Sequence, residues 1–387
     1  MLCLKKRRVV IFAEGCFGPV TSKVATSYLR YCREDCVAVI DSRLAGQDVG
    51  TLIGYGHGIP IVESVQAAQS LAPQVLLIGV GLFSNTLPDA WRAQIEFALK
   101  YGLDVVSGLH FRIAGDPVFS KLAAASGSRI WDAKEPPEIL ATSAVRVANL
   151  DRYVIHTIGS DCRVGKKTTA IEITHEAKRR GHNAGFAATG QSGMYISGAG
   201  VAVDAVPSDF IAGVSESLVL QLAEDHDWIV VEGQGSISHP AYSGVTLGLL
   251  HGAMPQALVL CHEAGLDHHK GWPMAPLRPL RELIRLYEEL ASFVRPATVV
   301  GISLHCGALS QEEAAFHAQQ IELETGLPTT DVIHFGAGKL VDALARHRRS
   351  LPANLAMSTL AVNGTRSDIS SMSPQRTPRT DLANQAV

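Results

Sequence analysis

Short apolar runs alternate with amphipathic stretches along most of this chain. Runs at 8–13 (RVVIFA), 37–40, 75–78 and 104–107 have the length of buried strands. The segments ending near Tyr31 and covering 91–101 place apolar residues at helical spacing, and Pro19 suits the first turn of the earlier helix. The pattern resumes with apolar runs at 153–158, 227–231, 258–261, 298–303 and 331–335. Helical spacing lies between them, over 166–180, 212–224, 280–291 and 311–325. Continuous apolar strands, rather than strands of alternating polarity, predict parallel sheets covered by helices on both faces.

A break at Glu135-Pro136-Pro137 divides the alternation and marks a linker near 134–150. The expected architecture is therefore α/β. An N-terminal Rossmann-like parallel-sheet domain (1–140) is followed by a P-loop NTPase-like α/β domain (150–348). Residues 351–387, rich in Ser, Pro, Thr and Arg, read as a disordered tail. In the first half, only Gly15 and Gly18 precede the helix and the strand that ends at Asp41. The dinucleotide fingerprint is incomplete, and a structural βαβ unit is expected. His110, just after a strand, reads as a hydrogen-bonded structural histidine.

Composition narrows the function. A chain of 387 residues has room for two cores, and a net charge of −3 argues against nucleic acid as the main partner. The apolar run at 9–13 is too short for a signal peptide, and no stretch has the length of a membrane span. Seven scattered cysteines without a paired CxxC suit a reducing cytosol. A cytoplasmic protein acting on small molecules is expected, and a homo-oligomer, because parallel-sheet enzymes of this size often associate.

The strongest chemical signal lies at 152–169, RYVIHTIGSDCRVGKKTT. A strand leads into Gly159, a loop through Ser160, Asp161, Cys162, Arg163 and Val164 reaches Gly165, and a helix opens at Lys166. Strand, glycine-bounded loop and helix mouth with a lysine form a phosphate cradle. Five residues separate the glycines rather than four, and Lys167 stands where a Mg²⁺-binding hydroxyl normally follows the lysine. A second ammonium repels a dication but neutralises phosphate. Thr168 and Thr169 lie close enough to restore a hydroxyl ligand by a one-residue shift.

Further along, Glu232 closes an apolar strand in the position of a Walker B carboxylate. It could orient a metal-bound water or take a proton from a substrate amine. The glycine-rich VEGQGSISHP after it leaves backbone amides open for an oxyanion. His262, Glu263, His268 and His269 match no metal-binding spacing, so they read as an exposed polar loop and no metal is assigned.

Together these segments resemble the bacterial D-glutamate N-acetyltransferase (DgcN) family, once listed as a domain of unknown function. The resemblance covers most of 8–345. It rests on GSDCRVGKKTT (159–169), TGQSG (189–193), DAVPSDFIAG (204–213), VEGQGSISHPAYS (231–243) and VTLGLLHGAMP (245–255). DSRLAG (41–46), LPDAWR (87–92) and DVVSGLH (104–110) carry it in the first half. The second half is also similar to dethiobiotin synthetase, which shares the five-residue loop spacing and the VEGxG strand end but has Thr after the loop lysine. The resemblance implies acetyl-CoA as donor and D-glutamate as acceptor. Residues 159–169 would grip the coenzyme's phosphates, with Arg163 an open choice for the acceptor carboxylates. Glu232 or His239 would be the base, Asp209 would hold the ammonium, and Gln191, Ser192, Gln234 and Ser236 would line the acceptor site. The alternatives are an ATP/Mg²⁺-dependent kinase or ligase of the dethiobiotin-synthetase kind, and a non-catalytic coenzyme A or nucleotide sensor.

Overall fold

Residues 4–82 and 86–356 are described here from a computed structural model. The predicted tail falls almost entirely outside them, and so does part of the loop 79–88.

The first sheet is built from β1 (Val9–Phe12), β2 (Cys36–Ile40), β3 (Ile61–Val62), β4 (Val75–Ile78), β5 (Asp104–Ser107) and β6 (Ile130–Asp132). Their order is β3-β2-β1-β4-β5-β6, all parallel, which is the doubly wound Rossmann arrangement. Helices α1 (Lys23–Tyr31), α2 (Val49–Ile53), α3 (Asp89–Lys100) and α4 (Pro117–Ser126) connect them. The strands read as unbroken apolar runs because both faces are covered: all four residues of β1 and of β4 are buried. Helix α1 begins at Lys23 rather than near Pro19. The intervening turn is closed by the Ser22 hydroxyl, which donates to the Gly18 carbonyl at 2.9 Å. Buried Asp41 accepts the amides of Phe17 (3.0 Å) and Arg43 (3.1 Å), so it ties two turns together within the protein.

The second sheet comprises β7 (Tyr153–Gly159), β8 (Ala184–Ala187), β9 (Trp228–Val231), β10 (Ala257–Glu263), β13 (Thr298–His305) and β14 (Thr329–Thr330). An antiparallel hairpin of β11 (His268–His269) and β12 (Trp272–Pro276) interrupts the alternation. The order is β14-β13-β10-β7-β9-β8, again all parallel, with β7 in the middle. The helices are α5 (Lys166–Arg179), α6 (Gln191–Ser197), α7 (Ile211–Ala223), α8 (Ser243–Ala253), α9 (Leu280–Ser292), α10 (Gln311–Thr325) and α11 (Gly338–Ser350). The strand expected at 331–335 is displaced to β14, two residues long. Asp331 ends it by accepting the amides of Ile333 (2.7 Å) and His334 (3.1 Å), which folds that segment into a turn. Among the described residues, no helix is long and apolar enough to cross a membrane.

Both sheets lie within one compact unit, 1–356. The apolar core of the first sheet runs without a break into Met194, Tyr195 and Ile196 of α6 and Ile171 of α5. Trp131 meets Tyr195 edge to face, with ring centroids 5.5 Å apart. The segment between the sheets is pinned rather than loose: buried Glu216 accepts the amides of Ala144 and Arg146.

Helices α7 and α8 pack so closely that a Cβ on Gly252 would lie 2.1 Å from the Ala212 carbonyl oxygen. Backbone cannot yield there as a flexible side chain would. Gly252→Ala should therefore lower the unfolding free energy by about 2–3 kcal/mol in urea titrations, the range expected for overpacking. An unchanged midpoint would contradict this packing.

Candidate active site

The loop after β7 is fastened from several sides before any ligand arrives. The Ser160 amide donates to Cys261 of β10 at 2.9 Å, and its hydroxyl meets His262 Nδ1 at 2.9 Å. Tyr287 of α9 donates its hydroxyl to the Gly159 carbonyl (2.8 Å) and accepts the Ile237 amide (3.0 Å). Asp161, fully buried, accepts His269 Nδ1 and the Lys270 amide, each at 2.8 Å. Burial pushes the Asp161 carboxyl upward, yet the Lys270 amide, His269 and the Cys162 amide outweigh it and hold the group below the usual range. The stretch expected as an exposed polar loop is thus part of the foundation. His262 and His269 are buried because they are the partners of Ser160 and Asp161.

With the loop so held, the amides from Arg163 to Thr168 donate to no acceptor among the described residues. Six consecutive free donors at a helix mouth form an anion cradle. Lys166 folds back, its ammonium donating to the Asp161 carbonyl at 2.6 Å, and burial lowers its pKa. Lys167 reaches the Ser27 hydroxyl on α1; burial brings its pKa down to about 8, against the opposing pull of Glu232. Thr169 is engaged with the Ser303 hydroxyl at 2.7 Å.

These groups open onto a cavity of about 890 Å³, within the size range of small-molecule sites. Lys23, Arg30, Arg163, Lys166 and Lys167 line it, against the carboxylates of Asp204, Glu232 and Asp331. Asp204 is paired with Lys134 at 2.9 Å, and Asp331 is committed to backbone amides that include Cys306 at 2.8 Å. The wall therefore carries surplus positive charge suited to a polyanion.

Glu232 is the exposed-to-ligand acid of the site, although only 3% of its surface meets solvent. Its Oε2 accepts the amides of Thr189 (3.0 Å) and Gly190 (3.2 Å). Burial raises its pKa to about 7, with Lys167, those two amides and Lys166 holding it from rising further. Next to it, a Cβ on Gly233 would sit 1.7 Å from the Thr157 carbonyl oxygen, so the close approach of the chain after β9 to its neighbour β7 requires glycine. The amides of Gln234, Gly235 and Ser236 have no acceptor among the described residues.

The other candidates divide. Gln191, Ser192 and Gln234 line the cavity with Glu232. Ser236 is buried behind it, donating its hydroxyl to the Ser160 carbonyl at 3.0 Å. Asp209 is exposed and outside the cavity lining. His239 is also outside the lining, 1% exposed and wedged against Tyr242, His269 and Trp272. Asp161, Cys162 and His239 come near enough to suggest a metal site. However, His239 Nδ1 accepts the Ala241 amide at 3.1 Å, which places the ring proton on Nε2, facing Asp161 Oδ1 at 3.7 Å. A nitrogen carrying that proton has no lone pair for a metal.

Residues 137–341 match the model of the DUF1611 family's P-loop domain, and 42–136 that of its Rossmann-like N-terminal domain; both are described as domains of unknown function. The chain belongs to the DUF1611 family. A crystal structure of a DUF1611 family protein from Anabaena variabilis superposes with a TM-score of 0.84 at 38% identity, covering 88% of this chain and 100% of that one. A "D-glutamate N-acetyltransferase" of Tritonibacter scottomollicae is 37% identical over 76% of this chain and 88% of its own length. One of the same name from a Pseudoalteromonas species is 34% identical over 72% and 83%. This DUF1611 chain is thereby placed among acyltransferases.

The sequence reading of this family member missed the wall supplied by α1: Lys23, Ser27 and Arg30. Their spacing of four and three residues was a visible signal for one helical face.

A carboxyl whose pKa rises on folding opposes stability once it ionises. The folded protein holds the Glu232 proton up to pH about 7, whereas the unfolded chain releases it near its ordinary value. Stability through this group therefore falls as pH rises across that window. Glu232→Gln should raise Tm by a few degrees at pH 8, with the gain fading toward pH 5, in paired melting curves. An equal gain at both pH values would show that Glu232 is not so perturbed.

Proposed function

We propose that this chain is a D-glutamate N-acetyltransferase that takes its acetyl group from acetyl-CoA, in D-amino-acid catabolism. The observation that carries the reading is the cradle of free amides between Arg163 and Thr168 beside two ammonium groups. It suits a phosphorylated carrier that is held rather than cleaved. An ATP/Mg²⁺ reaction needs a hydroxyl at the helix mouth, but Lys167 stands in that position, Thr168 is hydrogen-bonded to Tyr31 and Thr169 to Ser303. The names of the two relatives supply the acceptor.

Acyl transfer to an amine requires removal of the ammonium proton and stabilisation of the tetrahedral oxyanion. Glu232 is the base: a carboxylate with a pKa of about 7 accepts a proton at neutral pH and remains strong enough to take it from a bound ammonium. The freed amine attacks the thioester carbonyl, and the amides of Gln234 and Gly235, which line the cavity, receive the negative charge on oxygen. Collapse breaks the carbon–sulfur bond and expels the coenzyme A thiolate, which takes up a proton. The products are N-acetyl-D-glutamate and free thiol.

Purified protein given acetyl-CoA and D-glutamate should release thiol, and chelation should leave the rate unchanged. No release with either glutamate enantiomer would remove the proposal, and a rate abolished by chelation would favour the nucleotide reaction. Lys166→Ala should raise the KM for acetyl-CoA at least tenfold while leaving the circular dichroism spectrum intact. Glu232→Gln should lower kcat by 10²–10⁴-fold, the usual contribution of a general base, with little change in KM for acetyl-CoA. In the native enzyme kcat/KM should rise with pH through about 7 as the base deprotonates. A flat profile in that window would remove Glu232 from the role.

A further inference from the structure

Helix α1 forms the wall of the cavity opposite the loop, and it belongs to the first sheet's half of the chain. Lys23, Ser27 and Arg30 share one face over two turns, about 10 Å along the axis. Ser27 sets the register of this face, because its hydroxyl receives the Lys167 ammonium. Arg30 at one end is already occupied, its guanidinium lying 4.2 Å from the centre of the Tyr55 ring. Lys23 at the other end lies one turn from Ser27, toward the loop. Lys23 is exposed at the cavity edge, yet its pKa falls to about 8: partial desolvation acts first, the charges of Arg163, Lys270 and Lys167 add to it, and Glu263 opposes them.

Of these neighbours, Lys270 is neutralised by Glu263. Both line the cavity, and among the described residues neither the Lys23 nor the Arg163 side chain makes an ion pair within 4.0 Å; Glu263 attracts Lys23 only from farther away. Arg163 adds a backbone in the left-handed region, φ 58°, which costs a non-glycine residue conformational energy. Two exposed cations without a contact ion pair, close enough to repel each other beside an existing cradle, suit a second dianion. The free amides and Lys166 suffice for one phosphate group or a diphosphate; the Lys23 ammonium and the Arg163 guanidinium are additional to that grip.

We infer that Lys23 and Arg163 form a second phosphate subsite, shared between the two halves of the chain, which receives the 3′-phosphate of the coenzyme while the loop holds its diphosphate. The inference rests on the acetyl-CoA reading above. It makes the N-terminal half a direct participant in choosing the carrier.

The test compares acetyl-CoA with acetyl-3′-dephospho-CoA as donors for the full-length protein, with D-glutamate saturating. The native enzyme should favour acetyl-CoA by tenfold or more in kcat/KM. Lys23→Gln and Arg163→Gln should each shrink that preference toward unity by losing far more on acetyl-CoA than on the dephospho donor. Lys23→Arg, which keeps the charge, should retain most of it, and Lys166→Ala should lose both donors alike. Equal losses on both donors in Lys23→Gln, or a native enzyme indifferent to the 3′-phosphate, would overturn the subsite and leave the acetyltransferase reading standing. A native enzyme that uses neither donor would overturn both. Melting temperatures of all variants verify that they are folded.

Discussion

Lys166 and Lys167 stand side by side at the end of the central strand with little water around them, and Glu232 is the one acid close to both. A charge removed from water is destabilised unless a partner replaces the lost solvation, and one carboxylate cannot serve two ammonium groups. The rest of the site answers that imbalance. A carbonyl oxygen of the loop receives Lys166, a hydroxyl from the neighbouring domain receives Lys167, and open amides wait beside them. These neutral partners leave the net positive charge in place. The same shortage of solvent lifts the Glu232 carboxyl into the range where it can exchange protons at neutral pH. The surplus of positive charge and the raised carboxyl thus share one physical origin.

Such an arrangement needs a rigid support, and the second sheet provides one. Four elements distant in sequence converge on the loop: β10 through Cys261 and His262, the β11–β12 hairpin through His269 and Lys270, α9 through Tyr287, and the segment after β9 through Ser236. Asp161 carries the most of this, since both of its oxygens are bonded within the protein. An anion entering the cradle meets donors already in place, so little ordering is left to oppose binding.

Local chemistry was legible in the sequence wherever it was written in consecutive residues. The phosphate loop, the carboxylate at the end of its neighbouring strand and the parallel-sheet alternation could all be read from spacing, because each depends on a short segment and its own backbone. What stayed hidden depends on contacts between remote segments. His262 and His269 sit in a stretch as polar as any surface loop, and only Ser160 and Asp161, about a hundred residues earlier, explain their burial. His239 lies seven residues after Glu232 along the chain, yet the turn after β9 sends it behind the loop, away from the cavity lining. Asp331 looked like the start of a strand because apolar residues follow it; its side chain instead captures the amides that the strand would have used. The α1 wall was missed because its helix was read only as a crossover between strands.

The unbroken apolar core that runs from the first sheet into α5 and α6 has a mechanical meaning. Hinged enzymes open by sliding one lobe over another across a wet, polar seam. Here the seam is filled by Ile171, Met194, Tyr195 and Ile196, and parting the lobes would bring those side chains into water. The entrance must therefore be adjusted by side chains and loop tips, with the two halves behaving as a single casting around a cleft of nearly fixed width.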